Sequence, residues 1–155
     1  MKMKKTMLFL VMTLMGLSAF AQNSKDISMF PEAPEGFKKV VIHLTEKKKE
    51  NLLKVEFTVG KNVTVDKCNT FFLMGEIKEK DLTNWGYSYY NFTSDGNVAG
   101  TKMGCNDDTK VEKFITGQSK TIDYNSKSPI VIYIPNEMQV KYRVWKAKNK
   151  WLDLQ

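Results

Sequence analysis

Between residues 39 and 146 apolar side chains recur at every second position, not at the three-to-four spacing of a helix. Val40, Ile42 and Leu44 alternate with Val41, His43 and Thr45, and Leu53, Val55, Phe57 and Val59 alternate with Lys54, Glu56 and Thr58. Successive side chains of a strand leave opposite faces, so this pattern describes half-buried strands. Further strand candidates are 63–65, 71–77, 86–92, 111–115, 130–134 and 139–146, the last with Val140, Tyr142 and Val144 on one face. Only 46–52 and 79–84 read as able to carry a helical turn or two, and Pro31 and Pro34 keep the 22–37 arm extended. The expectation is an all-β domain: an antiparallel β-barrel or sandwich of about seven to eight strands, with long surface loops and one disulfide.

The N-terminus reads differently. Lys2, Lys4 and Lys5 precede an apolar run over 7–17, then Ser18-Ala19-Phe20-Ala21, a small-x-small cleavage pattern. This reads as a secretory signal peptide over 1–21, with 22–155 as a single domain. The alternative, a retained anchor, is disfavoured because the run is shorter than the roughly 20 residues that span a bilayer. Gln22 and not Cys follows Ala21, which argues against a lipoprotein. The whole chain carries 24 basic and 17 acidic residues for a formal charge of +7. Three lysines and no acids leave with the signal segment, so about +4 remains, too little to suggest nucleic acid as a partner. No membrane contact is expected after cleavage.

In an oxidising compartment the even, isolated pair Cys68 and Cys105 reads as a disulfide and not as a metal or catalytic site. The bridge would close a loop of about 38 residues, for which chain entropy gives roughly 4 kcal/mol. Catalytic chemistry finds little to build on. His43 is the single imidazole, so any Ser-His or Cys-His system would depend on it, and its neighbours suit a structural or surface residue better. The run 106–108 (Asn-Asp-Asp) lacks the alternating acids and distant Glu of a calcium loop. The nine glycines form no phosphate-binding spacing. Neither a cofactor nor a metal is expected, and an enzyme is the weaker class.

Two segments read as recognition surfaces. Residues 93–104 form a long connection of small and polar residues running into Cys105, and a loop of that length tied at its end is usually functional. Lys102 is then either a basic residue held out on a tethered loop or simply a surface lysine. The second segment is 85–90, Trp-Gly-Tyr-Ser-Tyr-Tyr, which suits core packing, a protein-protein hot spot or stacking on a ligand such as a glycan.

The segment 124–135 (Tyr-Asn-Ser-Lys-Ser-Pro-Ile-Val-Ile-Tyr-Ile-Pro), followed by 140–147 (Val-Lys-Tyr-Arg-Val-Trp-Lys-Ala), resembles the ecotin family of periplasmic serine protease inhibitors. The likeness extends to 39–45, 53–56, Val65-Asp66, Cys68-Asn69, Trp85-Gly86-Tyr87 and Tyr89-Tyr90, in order along nearly all of the exported chain.

The resemblance implies a substrate-like, reversible inhibitor of chymotrypsin-fold serine proteases and no enzymatic activity. Matched on Cys105, the reactive bond falls between Lys102 and Met103, within a reactive loop of Ala99, Gly100, Thr101, Gly104 and Cys105. A Lys there suits trypsin-like enzymes, whose specificity pocket ends in a carboxylate. Asn69, Thr70, Phe71 and Phe72 match the loop that supports the reactive loop. A secondary protease-binding surface matches Trp85, Gly86, Tyr87 and Ser88 together with Tyr124, Asn125, Ser126, Lys127 and Ser128. The strand around Trp145 resembles the segment that members exchange to form a homodimer, and the implied location is the periplasm. The alternative from the residues themselves is a secreted β-domain that binds a glycan or another surface ligand through Trp85, Tyr87, Tyr89 and Tyr90.

The chain also departs from the family pattern. Lys67 is an extra residue between Asp66 and Cys68, the best-known ecotin has Met in place of Lys102, and Phe71-Phe72 replaces polar or basic residues. Asp123 stands where a basic residue is expected, and the tail 150–155 is shorter and different.

Overall fold

The structure is a computed structural model that describes residues 27–83 and 86–154; the expected signal peptide and Trp85 lie outside the described residues. Among the described residues nine strands follow in order: β1 (Phe37–Ile42), β2 (Leu53–Asp66), β3 (Phe71–Leu73), β4 (Glu76–Leu82), β5 (Tyr87–Thr93), β6 (Val98–Gly100), β7 (Lys110–Asp123), β8 (Ile130–Pro135) and β9 (Gln139–Lys146). They form a four-stranded sheet in the order β1-β8-β5-β4, a three-stranded sheet in the order β7-β2-β9 and a small β3-β6 pair. The architecture is a sandwich and not a closed barrel, and no helix among the described residues is long and apolar enough to cross a membrane.

The alternation read from the sequence builds the main core. Val55, Phe57 and Val59 of β2 are completely buried and share one cluster with Ile130, Ile132 and Ile134 of β8 and Phe92 of β5. Each such side chain contributes about 1.5–3 kcal/mol on leaving water. Strand β8 is buried along its whole length because β1 and β5 flank it and the proline arm covers its second face. There Phe30, Val131 and Tyr133 pack with Tyr87 and Tyr89. The Tyr133 hydroxyl donates to Pro31 O at 2.5 Å, and burial, with Tyr89 and Glu32 nearby, pushes its pKa up to about 12.

Several expectations are revised. The 63–65 candidate is the continuation of β2, which runs for 14 residues past a bulge between Thr58 and Gly60. A Cβ on Gly60 would lie 2.4 Å from Ile115 O, so the close approach of β7 requires glycine there. The 71–77 candidate breaks into β3 and β4. The 79–84 segment, read as able to carry a helical turn or two, belongs to β4 as far as Leu82, where Glu79 opposes Tyr90 and Leu82 opposes Tyr87; cross-strand pairing decides its conformation. Of 46–52 only a 3-10 turn at Glu50–Leu52 forms. The strand count rises to nine with β6, and one pairing, β5 with β8, is parallel where the expectation was antiparallel throughout.

Candidate functional site

Cys68 and Cys105 are bonded, with Cα atoms 5.9 Å apart. The bridge joins the end of β2 to the segment leaving β6, and β6 pairs with β3 in the register Phe71↔Gly100, Phe72↔Ala99 and Leu73↔Val98. A Cβ on Gly100 would meet the Phe71 ring at 2.7 Å, so glycine permits this close approach. From Ala99 to Gly104 every residue is exposed, and Thr101 to Cys105 has no regular structure of its own.

What holds this stretch is mostly Asn69, which is buried. Its Oδ1 accepts from the Met103 amide at 2.8 Å and from the Thr101 hydroxyl at 2.6 Å, while its Nδ2 donates to Met103 O at 3.2 Å. One side chain therefore grips Thr101 and both sides of Met103, and leaves Lys102 exposed between these two residues. Thr101 is fixed further, because its amide donates to Thr70 O at 3.1 Å and its hydroxyl accepts from Thr70 N at 3.2 Å. Phe71 and Phe72 diverge: Phe71 packs towards Gly100 and the core, whereas Phe72 is 46% exposed.

The turn that carries Asn69 is itself locked. Asp66 Oδ1 accepts from Cys68 N at 3.1 Å and from Asn69 N at 2.7 Å, and the Asn69 amide is the main cause that lowers the Asp66 pKa. Lys67 pairs with Asp107 at 2.6 Å, bridging the two chain segments beside the disulfide. This contact, followed by those with Thr109, holds the Asp107 carboxyl below its usual range. Lys113 of β7 donates to Asp66 O and Lys67 O at 3.2 Å and to Asn69 O at 3.5 Å.

A second assembly forms between the start of β5 and the turn after β7. Ser88, Tyr90, Asn125, Ser128 and Pro129 line a hollow of about 230 Å³, so the 86–88 and 124–128 segments are brought together. Gly86 sits at φ +66°, a conformation that favours glycine. Within 124–128, Asn125 and Lys127 are exposed, whereas Tyr124 and Ser126 are buried. Tyr124 donates to Thr45 O at 2.6 Å and the Ser126 amide donates to Glu50 Oε2 at 3.1 Å. These two residues anchor the turn from beneath. Asp123, where a basic residue was expected, pairs with Lys54.

Residues 26–147 match the model of the ecotin family. An ecotin of Pseudomonas putida is 42% identical over 133 residues, which cover 84% of this chain and 83% of that protein. An ecotin of Pseudomonas fluorescens is 42% identical over 134 residues, covering 85% and 84%. The chain belongs to the ecotin family. Ecotin membership makes it a serine protease inhibitor and not an enzyme.

In this ecotin the tyrosines of the aromatic segment pack in different places. Tyr90 lies against Phe57 at 5.1 Å in the main core, while Tyr89 meets Tyr133 at 5.4 Å and Tyr87 meets Phe30 at 6.4 Å on the opposite face. Tyr90 is buried, whereas Tyr87 and Tyr89 are only partly covered. His43 is exposed just beyond β1.

Edge strand β9 overhangs the core. Tyr142 and Val144 lie opposite the fully buried Phe57 and Val55, yet they are 51% and 45% exposed because β9 projects past the facing sheet. On the other face Glu56 Oε2 accepts from Arg143 Nε at 2.7 Å and from Trp145 Nε1 at 2.6 Å, with Arg143 stacked 4.5 Å over the indole. Those contacts, Arg143 first, take the Glu56 pKa from 4.5 down to about 2. The alternation had indicated β9 and its apolar face. It had not indicated β6, the Lys67–Asp107 bridge or the role of Lys113, each of which depends on partners distant in sequence.

Proposed function

We propose that this protein inhibits chymotrypsin-fold serine proteases by presenting the Lys102–Met103 bond, with trypsin-like enzymes as preferred targets. The observation that carries the reading is the Asn69 brace: both the amide and the carbonyl of Met103 are held while Lys102 stays exposed. A Lys ammonium in a pocket that ends in a carboxylate is desolvated but paired, and truncating such a pair costs on the order of 2–5 kcal/mol. Because the loop is already ordered by the disulfide, β3 and Asn69, little conformational entropy is lost on docking.

The same arrangement explains reversibility. When the protease serine attacks the Lys102 carbonyl, the acyl group passes to the enzyme and Met103 N becomes the leaving amine. Asn69 and the Cys68–Cys105 bridge keep that amine close to the acyl carbon, so re-formation of the bond outcompetes hydrolysis.

In this reading residues 1–21 are a cleaved signal peptide, 22–155 is the inhibitor domain, and the protein works in the periplasm. Two copies associate through β9 and the tail, where Tyr142, Val144, Trp151, Leu152 and Leu154 are largely exposed apolar side chains. Gly86, Tyr87, Ser88, Asn125 and Lys127, with Trp85, serve as the secondary protease contact, so a dimer grips each enzyme twice. The test is titration of trypsin with the exported form, disulfide intact. Stoichiometric inhibition is the expected result; no inhibition at micromolar concentration would exclude the trypsin preference, and none against chymotrypsin or elastase would exclude the mechanism.

A further inference from the structure

We infer that Lys113 is a positioning residue of the inhibitory loop, acting through Asn69; the inference rests on Lys102–Met103 being the reactive bond. Lys113 is the fourth residue of β7, where the sequence offers only one more strand lysine. In the fold its ammonium sits where the carbonyls of Asp66, Lys67 and Asn69 converge, at 3.2, 3.2 and 3.5 Å. It also lies 6.0 Å from the centre of the Phe71 ring, the residue that backs Gly100. Three carbonyls aimed at one point repel one another and need a cation, and Lys113 supplies it from within the chain.

The consequence falls on Asn69. Its backbone amide donates to Asp66 Oδ1 at 2.7 Å and its carbonyl accepts from Lys113. With both main-chain groups fixed, the side-chain amide is held within reach of Met103. Lys113 also binds Lys67 O, and the Lys67–Asp107 pair holds the same turn from its other side. Lys113 itself is half-buried beneath the turn. Its effect on inhibition therefore passes through loop geometry, not through contact with the enzyme.

The experiment compares the wild-type protein with Lys113→Met and Lys113→Arg in three readouts. These are the trypsin inhibition constant, the rate of Lys102–Met103 cleavage in the complex by mass spectrometry, and hydrogen exchange of the Met103 amide in the free inhibitor. Unfolding temperature and disulfide content confirm that each variant is folded, and Lys113→Gln replaces the Met variant if that fails to fold. Losing charge-assisted hydrogen bonds predicts that the inhibition constant and the cleavage rate each rise about tenfold in Lys113→Met, with faster Met103 exchange and recovery in Lys113→Arg. Folded variants with wild-type inhibition and cleavage overturn the inference, and so does weakened inhibition with unchanged Met103 exchange. Lys102→Asp runs alongside: if it inhibits trypsin as well as the wild type does, the reactive-bond reading fails, while Met103 exchange still decides whether Lys113 orders the loop.

Discussion

The amide of Met103 lies 2.8 Å from Asn69 Oδ1, so the nitrogen that would leave when the Lys102–Met103 bond opens is held by the inhibitor itself. Asn69→Ala removes this contact, the Thr101 hydroxyl contact and the hold on Met103 O together. The expected outcome is a rise of about tenfold to a hundredfold in the inhibition constant and faster cleavage of the loop, at about 1–3 kcal/mol for the lost interactions. Active-site titration followed over hours separates the two effects.

Lys102→Asp puts a carboxylate where the target pocket also carries one. Trypsin inhibition should fall by two or more orders of magnitude, consistent with about 2–5 kcal/mol or more for a broken desolvated pair. Lys102 is exposed, so the unfolding temperature should stay unchanged. Unaltered inhibition by this variant would show that the reactive bond lies elsewhere.

Replacing both Cys68 and Cys105 with Ser opens a 37-residue separation in sequence. The unfolded chain gains the freedom the bridge removed, and stability should drop by roughly 4 kcal/mol in denaturant unfolding. The variant should also be consumed as a substrate, because the leaving segment is no longer tethered.

Glu56 supplies a pH dependence. Its folded pKa, about 2, lies below the ordinary 4.5 because Arg143 and Trp145 donate to its ionised form. A depressed carboxylate contributes stability that is fully present above about pH 4.5 and lost as pH falls through about 2. Glu56→Gln should therefore lower the unfolding temperature at neutral pH and flatten its dependence between those values. An unchanged acid profile would show that β9 is held without this contact.

Charges placed on the overhanging face of β9 test self-association. Tyr142→Lys and Val144→Lys should shift sedimentation from twice the chain mass to the single-chain mass. Both side chains are half-exposed in the single chain, so its folding should survive. Wild-type sedimentation at the single-chain mass would remove the dimer from the mechanism.

The alternation of Val55, Phe57 and Val59 was readable in sequence because it records a buried face residue by residue. Strand β6 was not, because Val98, Ala99 and Gly100 are small and too few to show an alternation. The 79–84 segment misled because local composition cannot show that Glu79 lies opposite Tyr90 and Leu82 opposite Tyr87. At the site, the resemblance supplied Asn69 and Lys102 as positions but not the hydrogen bonds between Asn69 and Met103. Lys67 and Asp107 are 40 residues apart, and nothing local links them. Tyr124 and Ser126 were placed on an outer surface by matching, whereas the fold uses them inside it.

The six residues from Ala99 to Gly104 bury none of their side chains. Of these, Gly100 is fixed by the Phe71 ring, and Thr101 and Met103 are held by Thr70 and Asn69 outside the segment. The chemistry that selects a target can thus be rewritten by point changes without the chain having to solve its folding problem again. Under shifting attack such a molecule adapts at its tip while its body stands still, and a laboratory library confined to those positions should yield inhibitors of new specificity from a single parent.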